Sequence, residues 1–371
     1  MLNSHKSETS SDSIYQKQSA AENSNQLQVG TFIVNQGITE ERARIVFEEM
    51  IPQAIQEYTQ DAYKTANDRI SYLENAVMPR ILDMDNALTS FADPAFQLLL
   101  RKAQHSAAST ERVDDYSLLS ELIVCQIQKG SDRKNRTGIS QAIEIVGDID
   151  SDALCALTVA HSINRLIPVS GDLREGLQAL NALFDKIYYT DLPLGMDWLD
   201  HLDVLGALRI SRISSLKKII DYYAERLSGY VCVGIQIESE NYRKAIDILA
   251  SANLNEGILR NNDLLEGYVR LPVRDREAIT ELWMNSMGVH RPILTNEIEA
   301  LQNVWDMYTQ EQALLEKVKA EFGIVWDSFK VLKEVRIWWD EIPCAFDITK
   351  VGTVLAHTNA KRCDSNLPDL M

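Results

Sequence analysis

Asp197, Asp200, His201 and Asp203 form the densest run of metal-capable side chains in the sequence. On a helix, Asp197 and His201 stand four residues apart and share a face. A carboxylate beside an imidazole can ligate one divalent cation, but a closed site needs further ligands, and no second run supplies them. The competing reading, favoured here, is a solvated helix start whose acids complement the positive end of the helix dipole. His161, in Thr158-Val159-Ala160-His161-Ser162, sits on an otherwise apolar helix. A histidine there can be a base or a ligand, and is more often a hydrogen-bonded core residue. His357, in Ala356-His357-Thr358-Asn359, has the same two readings. No serine lies in a Gly-x-Ser-x-Gly elbow, and no cysteine has the electropositive setting and base that a nucleophile needs. The sequence carries no catalytic signature and calls for no cofactor or metal.

One local stretch is basic. Gly130 to Gly138 (GSDRKNRTG) holds Arg133, Lys134 and Arg136, with Lys129 just before it. We read it as a loop ahead of a helix starting near Ser140. A helix N-terminus with adjacent Arg and Lys can hold a phosphate, although the Gly-x-x-x-x-Gly-Lys-Ser/Thr pattern of a Walker loop is missing. An exposed polar loop is the default for such a segment; an anion, nucleotide or nucleic-acid contact is the alternative.

Against that patch stands a formal net charge of −17 over 371 residues. Coating DNA or RNA requires clustered Lys and Arg, so nucleic acid is disfavoured as a partner. The five cysteines, Cys125, Cys155, Cys232, Cys344 and Cys363, are scattered and never form a Cys-x-x-Cys pair. That argues for a reduced compartment over a disulfide framework or zinc site. Apolar runs such as Leu98 to Leu100 are far too short to cross a bilayer, and Met1 to Asn25 lacks the apolar core of a signal peptide. The expectation is a cytoplasmic protein.

The elements that must position these residues are helical almost throughout. Residues 1–25, rich in Ser, Asn, Gln and Glu, cannot bury enough surface to offset chain entropy and are expected to be disordered. Leu27 to Val34 (LQVGTFIV) reads as a short strand, with Val29 and Ile33 on one side and Phe32 on the other. A lone strand needs a partner, here the same strand of another subunit. Gly37 ends it, and Thr39 caps the helix that follows. From there the apolar residues Ile51, Ile55, Tyr58, Ala62, Ala66, Ile70, Leu73, Val77, Ile81, Met84 and Leu88 recur with a mean step of roughly 3.7 residues. Pro52 restarts the helix and Pro79 kinks or ends it. An unbroken rod from Pro52 to Met78 would run about 40 Å. Its stripe needs a mate, and we assign that mate to a second copy of the chain. Val29, Phe32, Ile33, Ile51, Ile55, Tyr58, Ile70, Leu73 and Val77 are the residues expected to make the homo-oligomer.

Beyond Pro94, apolar residues spaced three and four apart predict helices over 95–105, 115–128, 140–146, 151–166, 173–188, 199–210, 216–227, 242–251, 274–287 and 297–322, and a further one over 326–339. Tyr230 to Ile237 and Gly267 to Val273 are the internal strand candidates. The organisation expected is a tail (1–25), a strand plus oligomerising helix (26–92), a helical globular body (93–345) and a C-terminal helix and tail (346–371). The fold class is mainly α, with a long N-terminal helical stalk and one or two short β segments.

Three pieces in order carry a resemblance. The first is Gln28-Val29-Gly30, then Asn35-Gln36-Gly37-Ile38-Thr39 and the helix entry Glu41, Ala43, Arg44. The second is Ser140-Gln141-Ala142-Ile143-Glu144-Ile145 with Ile149-Asp150-Ser151-Asp152. The third is Ile348-Thr349-Lys350-Val351-Gly352 with Ala356, Asn359, Ala360, Lys361 and Arg362. Together they resemble a sporadic family of uncharacterised bacterial proteins with a Gln-x-Gly strand, a long charged helix and a Thr-x-x-Gly helix near the C-terminus. The resemblance covers about a third of the chain. It implies a bacterial protein with no assigned reaction and a place in phage defence or a mobile element. The functional expectation is a non-catalytic, self-assembling scaffold or sensor that presents its body to a protein partner. The alternatives are an enzyme with a site assembled from distant residues, His161 or the Asp197–Asp203 run being first suspects, and a nucleic-acid regulator. For the last, the Thr349-x-x-Gly352 helix entry and the Lys361-Arg362 pair are similar to the last helix of winged-helix proteins.

Overall fold

A computed structural model describes residues 39–54, 59–130, 132–286 and 289–370. The fold is mainly α, as the apolar spacing predicts. The expected tail and the strand residues Val29, Phe32 and Ile33 lie outside the described residues, as do Ile55 and Tyr58.

The predicted rod is two helices. Helix α1 (Glu40–Ala54) carries Pro52 in its last turn, and α2 (Gln60–Leu82) starts afresh after Thr59, whose backbone is extended (φ −65°, ψ 163°). The apolar stripe of α2 finds its mate inside the chain. Ile70, Leu73, Val77 and Ile81 are completely buried, and Ile51 of α1 is buried too. Helix α2 packs on α3 (Pro94–Ser109) and α4 (Val113–Lys129). Arg69 donates to the Ala108 carbonyl (3.0 Å), and Ser120 to that of Ala76 (3.0 Å). The assignment of Ile51, Ile70, Leu73 and Val77 to an intersubunit bundle is therefore corrected. They are core residues of one chain, because two neighbouring helices cover the stripe before any second copy can.

Behind α4 come α5 (Arg133–Ile145), α6 (Ser151–Arg165) and α7 (Leu173–Ile187). Every residue of α6 from Ala153 to Ile163 is buried, the signature of a central helix. The last helix, α14 (Lys350–Cys363), closes the body by packing on α4, α5 and α6. Where one helix was expected over 199–210, α8 (Asp197–Val204) stops and strand β1 (Leu208–Ser211) begins. Gly206, at φ +73°, makes that stop: its N–H bonds the Asp203 carbonyl, and the Ala207 N–H reaches back to Leu202, a Schellman-type ending. Strand β1 pairs antiparallel with β7 (Ala345–Ile348), which leads directly into α14.

Helix α9 (Ile219–Arg226) precedes a second, smaller hydrophobic core built from residues 232–308. It comprises β2 (Ile235–Gln236), α10 (Glu240–Ser251), β3 (Arg260–Asn261), β4 (Tyr268–Arg270), the hairpin β5 (Trp283–Ser286) and β6 (Val289–Pro292), and α11 (Thr295–Trp305), with sheet order β2-β4-β3. The helices expected over 274–287 and 297–322 are not formed as such. A 3₁₀ turn and the β5–β6 hairpin replace the first. The second breaks between α11 and α12 (Gln312–Asp327), where the Thr309 N–H is drawn off to the Gly234 carbonyl. Helix α13 (Lys330–Glu341) returns the chain to the first core. Buried Arg270 ties this inserted lobe to the body, donating to the carbonyls of Gly171 (3.1 Å) and Gly229 (3.3 Å) and to Asp263 (3.1 Å). No helix among the described residues is long and apolar enough to cross a membrane.

Candidate functional site

The acidic run of α8 is held by structural partners. His201 Nε2 accepts the Asp150 N–H (3.1 Å), which fixes the entry to α6. Asp200 pairs with Arg212 (3.2 Å) and Asp203 with Arg209 (3.2 Å). Asp197 lies in the first turn of α8. Among the described residues, no three His, Cys, Asp or Glu side chains gather in a way that could hold a metal.

His161 is sealed in the first core, 2% exposed, with its ring edge-on to His357 at 5.6 Å between centroids. Its Nε2 has no hydrogen-bond partner. Burial, then the neighbouring His357, pushes its pKa down to about 3. His357 Nε2 donates to the Pro368 carbonyl (2.9 Å), and burial lowers its pKa as well. The two imidazoles meet where α6 packs on α14.

The basic stretch is not a loop. Helix α5 begins at Arg133, and the Asp132 carboxylate caps it by accepting the Asn135 N–H (3.1 Å). Capping moves the start of the helix seven residues ahead of Ser140 and winds the cations onto its first turns. Arg133 and Lys134 line an open groove of about 900 Å³ together with Asp132, Asn135, Thr137 and Lys350. Lys350, the first residue of α14, is the residue the sequence reading missed; only the packing of α14 on α5 brings it there. Arg136 turns to an adjoining groove beside Lys102, Ser140 and Glu144. There Lys102 is already bonded to Ser140 (2.8 Å) and Glu144 (2.5 Å). Lys129 lies in the last turn of α4. Among the described residues, Arg133, Lys134, Arg136 and Lys350 make no ion pair, whereas some cations elsewhere are neutralised, as Arg336 is by Asp327 (2.7 Å) and Arg291 by Glu297 (2.6 Å).

The Thr-x-x-Gly entry of α14 docks this helix onto its own chain. Thr349 Oγ1 accepts the Gly352 N–H (3.2 Å) as an N-cap and donates to the Gly206 carbonyl (2.7 Å). At Gly352 a Cβ would stand 1.9 Å from the Ala207 carbonyl oxygen, so only glycine permits the contact. At the far end Lys361 pairs with Asp369, and Arg362 with the exposed Asp114 (3.1 Å). Most of α14 is buried, which weighs against the likeness to a DNA-reading helix.

A second concavity, of about 230 Å³, opens where α4, α6 and α14 meet. It is lined by Arg112, Asp114, Asp115, Ser151, Tyr189, Asn359 and Arg362 over Val113, Leu118 and Leu154. Fully buried Asn359 donates to Thr158 (2.9 Å) and Tyr189 (3.1 Å) and accepts from Arg362 Nε (2.9 Å). Asp115 accepts from Thr110 and from Arg112 (2.9 Å); burial nevertheless raises its pKa, against those two partners.

One family model, that of uncharacterised-like proteins, matches residues 37–369, and the chain belongs to that family. This agrees with the resemblance at the level of an uncharacterised family. No curated protein matches the chain, and no solved structure does.

Proposed function

We propose that the protein is a non-catalytic sensor whose helical body binds a compact polyphosphate in the groove between α5 and α14. The observation that supports this most is the convergence of three cations, Arg133, Lys134 and Lys350, on one groove whose single carboxylate is Asp132, in a chain of net charge −17. Three like charges against one carboxylate cost free energy to hold together unless a further anion joins them. Phosphate-rich anions suit Arg and Lys in combination, the first by bidentate hydrogen bonding and the second as a point charge.

The acidic remainder of the molecule sets the size of the ligand. At physiological ionic strength, charges are screened beyond about 8 Å. A compact anion inside the groove therefore feels the local cations, while a long nucleic acid would also meet the acidic surface around them. That favours a small polyphosphate over a polynucleotide. A self-assembling scaffold would have to use surfaces other than the α2 stripe, which is spent inside one chain.

Calorimetric titration with inorganic tripolyphosphate tests the reading. Binding should weaken as salt rises and disappear in Arg133→Glu/Lys134→Glu/Lys350→Glu, while the circular dichroism of that variant stays unchanged. Equal binding by the variant, or tighter binding of a single-stranded DNA oligonucleotide than of tripolyphosphate, overturns it.

A further inference from the structure

The concavity at the meeting of α4, α6 and α14 has a composition unlike the basic groove. It carries two cations and two carboxylates, Arg112 and Arg362 against Asp114 and Asp115, so its formal charge balances. Its floor is rigid, because Asn359 is fully buried and bonded at once to Thr158, Tyr189 and Arg362. The guanidinium of Arg362 is further fixed over the Tyr189 ring, 5.4 Å from its centroid. The mouth is different. There Arg362 Nη1 reaches across from α14 to Asp114 on α4 at 3.1 Å, and the Asp114 side chain is 73% exposed. An ion pair with one exposed partner contributes little to stability and exchanges readily for a better one. Ser151, on the α6 side, has a hydroxyl with no hydrogen-bond partner among the described residues.

We propose that this cleft binds a small zwitterion of the free amino-acid type, its carboxylate taken by Arg362 and Ser151 and its ammonium by Asp114. The ligand inserts into the Arg362–Asp114 pair and satisfies both halves of it, so neither charge is left bare. A simple anion would displace Asp114 and leave that carboxylate unpaired beside it; a simple cation would strand Arg362. The walls Val113, Leu118 and Leu154 leave room for a modest apolar side chain. The volume is below that of clefts for drug-sized ligands, roughly 300 Å³ and upward, and suits a molecule of this size.

The test is a thermal-shift screen of the intact protein against the free L-amino acids, repeated with the N-acetyl derivative and the methyl ester of each. At least one free amino acid should raise the melting temperature saturably, and the two derivatives, each lacking one charge, should bind at least about tenfold more weakly. Asp114→Asn, an exposed position, should abolish the shift without changing the melting temperature of the free protein. Arg362→Gln should abolish it too, and Lys134→Glu, in the basic groove, should leave it intact. No shift with any free amino acid, equal shifts with the singly charged derivatives, or an undiminished shift in Asp114→Asn overturns the proposal. Tripolyphosphate binding is measured separately, so the two readings fail independently.

Discussion

Acid should destabilise this protein through His161 in a way that one substitution isolates. The imidazole is buried, unpaired at Nε2, and held neutral down to about pH 3 in the folded chain, against an ordinary value of 6.5. Below pH 6.5 the unfolded chain takes up a proton that the folded chain refuses. Stability is therefore complete above that pH and is lost as pH falls toward 3. Each pH unit in that window costs about 1.4 kcal/mol, so near pH 4.5 the loss from this one group is about 3 kcal/mol. His357 is shifted the same way, and the carboxylates titrate too, but they do so in the variant as well and cancel in the comparison. The variant is His161→Leu. At pH 7 it should be neutral or mildly stabilising, since it removes a buried nitrogen that has no partner. Urea unfolding followed by tryptophan fluorescence at both pH values gives the double difference. Trp326, Trp338 and Trp339 all sit in the core that holds His161, so the signal reports the right part of the chain. The wild type should lose about 3 kcal/mol more than the variant between pH 7 and about 4.5. Parallel losses in the two proteins would show that His161 is reached by protons without unfolding, and the burial argument would be wrong.

Three further substitutions and one control separate the packing claims. Ile70→Asp places a charge at a fully buried position of α2 and should cost about 4 kcal/mol or more; a soluble variant with native circular dichroism would argue against intramolecular burial. Gly352→Ala drives a methyl into the Ala207 carbonyl and should abolish folded protein or lower the melting temperature by many degrees, whereas Val351→Ala beside it should be mild. Arg270→Ala strips the donor from the carbonyls of Gly171 and Gly229 and from Asp263, an expected loss of about 3–5 kcal/mol. Limited proteolysis should then release fragments from residues 232–308 first, and an unaltered digestion pattern would count against a tie at this point.

What the sequence made legible follows the range of the physics involved. Helices with a strong three-and-four pattern, such as α3, α4, α6 and α7, were readable because their apolar faces are local facts. The Thr349-x-x-Gly352 motif was visible as residues, but its reason was not: the Ala207 carbonyl that demands glycine at 352 arrives through the β1–β7 pairing. Periodicity in α2 reported correctly that a stripe must be covered and was silent on by what. A stripe facing α3 and α4 and a stripe facing a sister molecule have the same spacing, since both are dry helix faces.

The basic groove shows the same limit from the side of function. Arg133, Lys134 and Arg136 were conspicuous in sequence because they are adjacent. Yet adjacency misassigned Arg136, which the 3.6-residue turn of α5 rotates into another groove, and it could not supply Lys350. A loop would have let all three cations converge; a helix capped by Asp132 forbids it. The same capping brings the one carboxylate in the groove to the helix N-terminus, where its charge is partly spent on the Asn135 N–H. Replacing Asp132 with Asn keeps the cap, because asparagine caps about as well as aspartate, while removing the negative charge. Tripolyphosphate should therefore bind more tightly to Asp132→Asn than to the wild type, and the gain should shrink as salt is added. If affinity is unchanged at low salt, the ligand does not sit among Arg133, Lys134 and Lys350.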